Sequence, residues 1–382
     1  MARRTPKKIE ESKLHRWRLV ENFQERLAEE VTKRGKTGDT WSDPRRQLEL
    51  GRYLGLYLFG LFNPVVETMR GLCGASELER VQREVCGRRV SLGSFSEAQA
   101  VVELELLEAV FNALQPPRAT AQPVGRAVVI DSTVWPVLPR MAWAFWRRQG
   151  VKQNAVRLHV EFDLGRGQVS RAQLTTAKTC EQAQWQKWAR PGALYIGDRN
   201  YGRDYQLLAE LQKRRVDWVV RLQGETRWVV EKVEALSEAD RQAGVIASEL
   251  VRLGVAGNGP CCRVVQVLGE DETILLATTL PANQASAELI AQLYRYRWQV
   301  ELFFRWLKCI LGCRHWLAES EAGVALQCYL ALIAAQLLLL HTGQRAGRRQ
   351  MELIQFYLLG WATLAELTAG LGKLSSGKKQ KS

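Results

Sequence analysis

The chain has 382 residues, 46% hydrophobic and 25% charged, enough to bury a sizeable core with one or two accessory modules. Lys and Arg number 54 against 40 Asp and Glu, a net charge of +14 and a pI near 9.6, and a surplus of that size favours a polyanionic partner, DNA or RNA first. Eight scattered Cys with no CxxC pair exclude a disulfide framework, and the absence of an apolar leader in MARRTPKKIEESKLHRW points to a reducing, cytoplasmic setting.

Residues 1–40 are charge-rich, opening on a basic arm (Arg3, Arg4, Lys7, Lys8) that turns helical. The pattern from 43 to 115 is helical: Pro44 starts one helix, YLGLYLFGLF is strongly apolar, and SFSEAQAVVELELLEAVFNAL reads as one helix capped at Ser94 or Ser96. Residues 1–115 thus read as a basic helical region. The Pro-rich stretch 115–125 reads as a linker. A first strand ends at Asp131, and strands follow near 156–164 and 168–175. A helix over 181–188 leads to a strand ending at Asp198, then a helix near 203–214 and a strand over 216–222. Residues 224–280 are Gly-punctuated with short β-branched runs (RWVVEKV, CCRVVQVL, TILLATTL), the pattern of an inserted sheet. After Pro281 one long helix carries Glu301; two more helices and a basic tail (Lys373, Lys378, Lys379, Lys381) close the chain. The apolar run over 324–340 sits at the lower length limit of a membrane span, and a buried helix packed behind the sheet accounts for it without a membrane.

Three acids stand out. Asp131 follows the apolar run 127–130 and Asp198 the run 193–196, each where a buried strand gives way to a polar turn. Ligands collect at such strand ends in open α/β sheets, and a carboxylate there is costly to bury unless paired or metal-bound. The third lies in YRYRWQVELFFRWLK. On a continuous helix Tyr294, Arg297, Glu301 and Lys308 fall within an arc of about 60°, while Leu293, Val300, Phe304 and Leu307 form a separate apolar stripe. A carboxylate flanked by two cations and a phenol suits a metal ligand beside a phosphate grip; a solvated charged face has the same spacing. Thirteen Trp, several beside basic residues (Trp17, Trp146, Trp188, Trp298, Trp306), suit base stacking or a core equally. His159, in a strand-like run, reads as a hydrogen-bonding residue near the site. Cys309, Cys313 and His315 lack a fourth neighbour for zinc.

The blocks IDST at Asp131, GDRNY over 197–201 and Y-x2-R-x3-E-x6-K at Tyr294, Arg297, Glu301 and Lys308 resemble the DDE transposases of bacterial insertion-sequence family four. RLHVEFDL over 157–164 resembles the family's second catalytic strand, and the likeness spans about 125–318. The resemblance implies an α/β fold: a ribonuclease-H-like mixed-sheet core over 116–223 and 282–318, a β-rich insertion over 224–281, and helical N- and C-terminal regions, the latter over 319–382. It also implies Asp131, Asp198 and Glu301 as catalytic acids holding two Mg2+, with Mn2+ as a substitute. Tyr294, Arg297, Lys308 and Arg199 would contact phosphates, and Trp298 an extruded base. The implied substrates are the double-stranded ends of a mobile element and a target DNA, handled by a homodimer associated with the nucleoid. The open alternatives are another ribonuclease-H-like nuclease or a host-adopted relative that binds DNA without cutting.

Overall fold

A computed structural model describes residues 18–34, 41, 43, 48–117, 125–138, 140–148, 151–309, 316–345 and 347–377. The first helices are α1 (Arg18–Arg34), α2 (Leu50–Phe62), α3 (Met69–Ala75), α4 (Glu79–Val81), α5 (Leu92–Gln99) and α6 (Leu104–Ala113). Next come β1 (Arg126–Pro136), β2 (Phe145–Arg148), β3 (Val151–Asp163), β4 (Gln168–Thr176), α7 (Glu181–Trp188), β5 (Ala193–Gly197), α8 (Tyr205–Lys213) and β6 (Asp217–Arg221). Then follow β7 (Trp228–Val233), α9 (Glu238–Gln242), β8 (Val245–Leu253), β9 (Cys261–Leu268) and β10 (Thr273–Thr278). The last helices are α10 (Ala287–Tyr296), α11 (Trp298–Cys309), α12 (Glu321–Thr342), α13 (Arg348–Leu358) and α14 (Leu364–Gly377). The chain divides into two compact units, residues 117–302 and residues 1–116 with 303–382.

The unit over 117–302 is built on one ten-stranded sheet in the order β2-β3-β1-β5-β6-β10-β9-β8-β7, with β4 on β3. β3 is antiparallel to β1 and β4, whereas β1, β5 and β6 run parallel. Residues 127–130 and all of β5 are buried, as apolar strands covered on both faces must be. The stretch expected as an inserted sheet does not stand apart. β10 pairs antiparallel with β6 (Ala277 opposite Val220), so β7–β10 extend the same sheet. The buried run Leu275–Ala277 thereby covers an edge that β6 would otherwise leave unpaired.

In the other unit α12 packs against α1, α2 and α6 and is buried along most of its length. The buried helix expected over 324–340 is present, and its packing partners are helices of its own unit. α12 is the one helix among the described residues long and apolar enough to cross a membrane, by length and composition alone. Among the described residues three helices, rather than two, follow α11. The single helix expected from Ser94 is two. α5 is capped earlier, by Ser91 accepting from Ser94 N, and the chain leaves the helix through Val101 and Val102, whose β-branched side chains favour extended backbone. The basic arm and most of the linker and basic tail lie outside the described residues.

Candidate active site

β1 and β5 set the two aspartates by register. Val129 pairs with Ile196, and Asp131 and Asp198 each lie two positions further along. Side chains two apart share a face of the sheet, and neighbouring strands run about 5 Å apart, so the two carboxylates stand side by side. One expectation needs correction: β1 does not end at Asp131. It continues to Pro136 on β3 alone, and Asp131 lies just beyond the last pair of the parallel ladder.

Asp131 Oδ1 accepts from the N–H of Ser132 at 2.7 Å, and Asp198 Oδ1 from that of Asn200 at 2.8 Å. The GDRNY turn is clamped from below. Tyr201 is fully buried and meets the Trp185 ring edge-on at 5.2 Å. Gly202 lies so close to the Arg221 carbonyl that a Cβ would come within 2.0 Å of its oxygen. Because backbone, not a flexible side chain, stands in the way, Gly202→Ala should lower stability by about 1–3 kcal/mol or more, read by denaturant unfolding. A variant as stable as the parent would show that the turn gives way freely.

The signature segment is two helices, not one. Arg297 sits between α10 and α11, where its N–H bonds to Tyr294 O at 3.0 Å and its carbonyl accepts from Val300 N at 3.1 Å. No Gly or Pro marks this break. The backbone tightens to three-residue bonds where the Arg297 side chain engages two acids: Nη2 lies 2.5 Å from Glu301 Oε1 and Nη1 3.5 Å from Asp131 Oδ2. The guanidinium also lies over the Tyr294 ring, 5.6 Å from its centre. The apolar stripe holds: Leu293, Val300, Phe304 and Leu307 are all buried.

The structure therefore joins Asp131, Asp198, Arg297, Glu301 and Tyr294. Lys308 lies seven residues along α11 from Glu301, and Arg199 is exposed. Trp298 is 49% exposed, so it is not core; Trp188 and Trp306 are buried and are. Trp17 lies outside the described residues, as do Cys313 and His315. His159 is buried, with Nε2 3.1 Å from Thr175 Oγ1, and burial pushes its pKa down to about 4, so it stays neutral in the fold. Sequence reasoning missed Glu181. It read only as a helix start, yet it lies against Ser132, Arg157 and Asn200.

Burial first, then the neighbouring Asp198, pushes the Asp131 carboxyl up to about 7, against the pull of the Ser132 N–H and Arg297. That is the state of a carboxylate pair short of positive charge, and an all-oxygen set of this kind suits a hard divalent cation. Among the described residues no group of three or more His, Cys, Asp or Glu is spaced to hold a metal ion. Asp131 and Asp198 form the pair, and Glu301 joins them through the guanidinium.

A carboxyl whose pKa is higher folded than unfolded stabilises the fold while protonated, and that contribution is lost as pH rises from about 4 through about 7. In metal-free buffer Asp131→Asn should therefore melt several degrees above the parent at pH 8, and the gain should shrink toward pH 4. A gain independent of pH would contradict the coupling.

On a basic chain, the mixed sheet thus sets two aspartates side by side near an arginine–glutamate pair, a carboxylate-centred site. The family described as Transposase DDE domain matches residues 122–337, more than half of the chain, and the chain belongs to it. The chain is 29% identical over 240 residues to y4zB of Sinorhizobium fredii, a transposase by name, covering 61% of this chain and 65% of that one. It is also 29% identical over 117 residues to a protein of Synechocystis named as a transposase for insertion sequence element IS4SA, covering 29% and 35%. These matches span less than two thirds of either relative's length. Among solved structures, a piggyBac transposase synaptic complex with hairpin DNA aligns over 96% of this chain and 82% of that one, at 11% identity and a TM-score of 0.42.

Proposed function

We propose that this transposase-family chain cuts DNA at the two ends of a mobile element and joins them to a target, the cut-and-paste reaction, with Asp131, Asp198 and Glu301 as its catalytic carboxylates. The observation that carries the reading is the Val129–Ile196 register of adjacent parallel strands, which sets Asp131 and Asp198 each two positions further on, with Arg297 linking Asp131 to Glu301. The strand order β4-β3-β1-β5-β6, antiparallel and then parallel, supports a ribonuclease-H-like core.

The three acids would hold two Mg2+, with Mn2+ substituting. When bound, these ions supply Lewis acidity for in-line attack at a phosphodiester, first by water and later by a DNA 3′-hydroxyl. The chain's own part is positioning. The Ser132 and Asn200 N–H groups orient Asp131 and Asp198, and burial removes competing water from Asp131. Arg297, together with Lys308, Tyr294 and Arg199, would contact an end phosphate, exchanging its carboxylate partners for it. Trp298, half-exposed one residue beyond, would stack on an extruded base. The N-terminal helices recognise the end sequence, two copies assemble on DNA, and the protein works in the cytoplasm at the nucleoid.

The deciding experiment is a nicking assay on linear DNA carrying the element's ends. Mg2+ or Mn2+ should support cleavage, and Ca2+, with its looser and longer coordination, should support only assembly. Binding without cutting in any metal would favour a host-adopted relative, and cutting indifferent to the ends would favour a general nuclease.

A further inference from the structure

The residues that follow the two aspartates are tied to a single point. Ser132 and Asn200 donate their N–H groups to Asp131 and Asp198, and their side chains converge on Glu181, the first residue of α7. The Ser132 hydroxyl donates to Oε1 in a short contact, and Asn200 Nδ2 donates to Oε2 at 2.5 Å. Arg157 on β3 completes the set, its Nη1 2.6 Å from Glu181 Oε1 and 3.1 Å from Ser132 Oγ. Gln182, next along α7, donates to the Asn200 carbonyl at 3.0 Å.

We infer that Glu181 is a positioning residue that ties β1 at Ser132 to the turn after Asp198, so that the Asp131 and Asp198 carboxylates are held toward one cation site. The inference rests on the metal-dependent reading above. A glutamate at a helix start ordinarily serves its own helix, through the dipole or a capping box. Here the N-cap, Cys180, makes no side-chain cap bond, and Glu181 directs both oxygens away, one to β1 and one to the GDRNY turn. Its charge is matched by Arg157, and its acceptors are engaged by three donors, so it serves as a brace rather than a further ligand. Without the brace each aspartate keeps its N–H bond, but β1 and the turn after Asp198 are no longer held to each other through side chains.

The test uses the full-length protein and Mn2+ alone as the probe. Binding is followed by calorimetry without DNA, beside end-DNA binding in EDTA and thermal melting. Loss of a hydrogen-bonding partner behind a metal ligand typically weakens metal affinity 10–100-fold. Glu181→Ala should weaken Mn2+ binding by about that factor and leave end-DNA affinity in EDTA within about twofold. Glu181→Gln, which still accepts from Asn200, should recover part of the loss. If Glu181→Ala does not fold, Ser132→Ala and Asn200→Ala each cut one arm and should each give a smaller loss. Unchanged Mn2+ affinity in these variants, with binding abolished by Asp131→Asn, would overturn the brace and leave the metal site standing. A parent that binds no Mn2+, or an Asp131→Asn variant that binds it normally, would bring down the metal reading and the brace with it.

Discussion

Asp131→Asn, Asp198→Asn and Glu301→Gln should each slow strand cleavage by about a thousandfold or more while leaving end-DNA binding largely intact. Loss of an acidic ligand forfeits several kcal/mol of charge stabilisation in the transition state, and each 1.4 kcal/mol is about tenfold in rate. Few phosphate contacts go with it, since Asp131 is only 15% exposed and its hydrogen bonds run inward to Ser132 and Arg297. Glu301→Gln differs in one respect. It loosens Arg297, whose strongest partner is Glu301, so its end affinity should equal or exceed that of the parent. Single-turnover cleavage of labelled ends beside gel-shift titration measures both quantities. Any variant cleaving near the parental rate leaves the catalytic set.

Arg297→Ala and Lys308→Ala should weaken complexes with cleaved ends, and the slope of log affinity against log salt should flatten by about one unit for each lost contact. Tyr294→Phe should do less, because it removes one neutral hydrogen bond worth about 1 kcal/mol. Arg295→Ala is the control. The Arg295 guanidinium donates to the Ala243 carbonyl at 3.0 Å, away from the acids, and its loss should barely alter DNA binding. An Arg295→Ala loss as large as that of Arg297→Ala would show that the grip lies on another face. Glu301 would then rest on family membership alone.

How far the site could be read from sequence depended on the range of the contacts that build it. Asp131 and Asp198 were legible because each closes a run of apolar residues, a local signal. Their exact neighbourhood on parallel strands was not, since it is set by a ladder pairing residues 67 apart, such as Val129 with Ile196. The break at Arg297 carried no Gly or Pro, and the contact of its guanidinium with Asp131, 166 residues away, leaves no local trace in the sequence. Glu181 looked ordinary because its partners Ser132 and Asn200 stand 49 and 19 residues off. β8 was missed because its buried positions, Val245, Ser248, Val251 and Leu253, do not alternate strictly; a register shift lies between Val245 and Ala247. The insertion's composition announced strands, but only the β10–β6 pairing shows them joining the main sheet.

The helical unit draws on both halves of the chain, and this governs when it can form. α2 is buried along nearly its whole length, in part by α12, and the Tyr57 hydroxyl reaches Gln327 at 3.4 Å across 270 residues of sequence. At about 5–20 residues per second a ribosome needs roughly 15–55 s to bridge that interval. Until then the surfaces of α1, α2 and α6 that meet α12 wait uncovered, while residues 117–302, a compact unit, are already free to close. Synthesis therefore imposes an order on the molecule: the sheet matures first, and the helices made earliest are among the last to find their place.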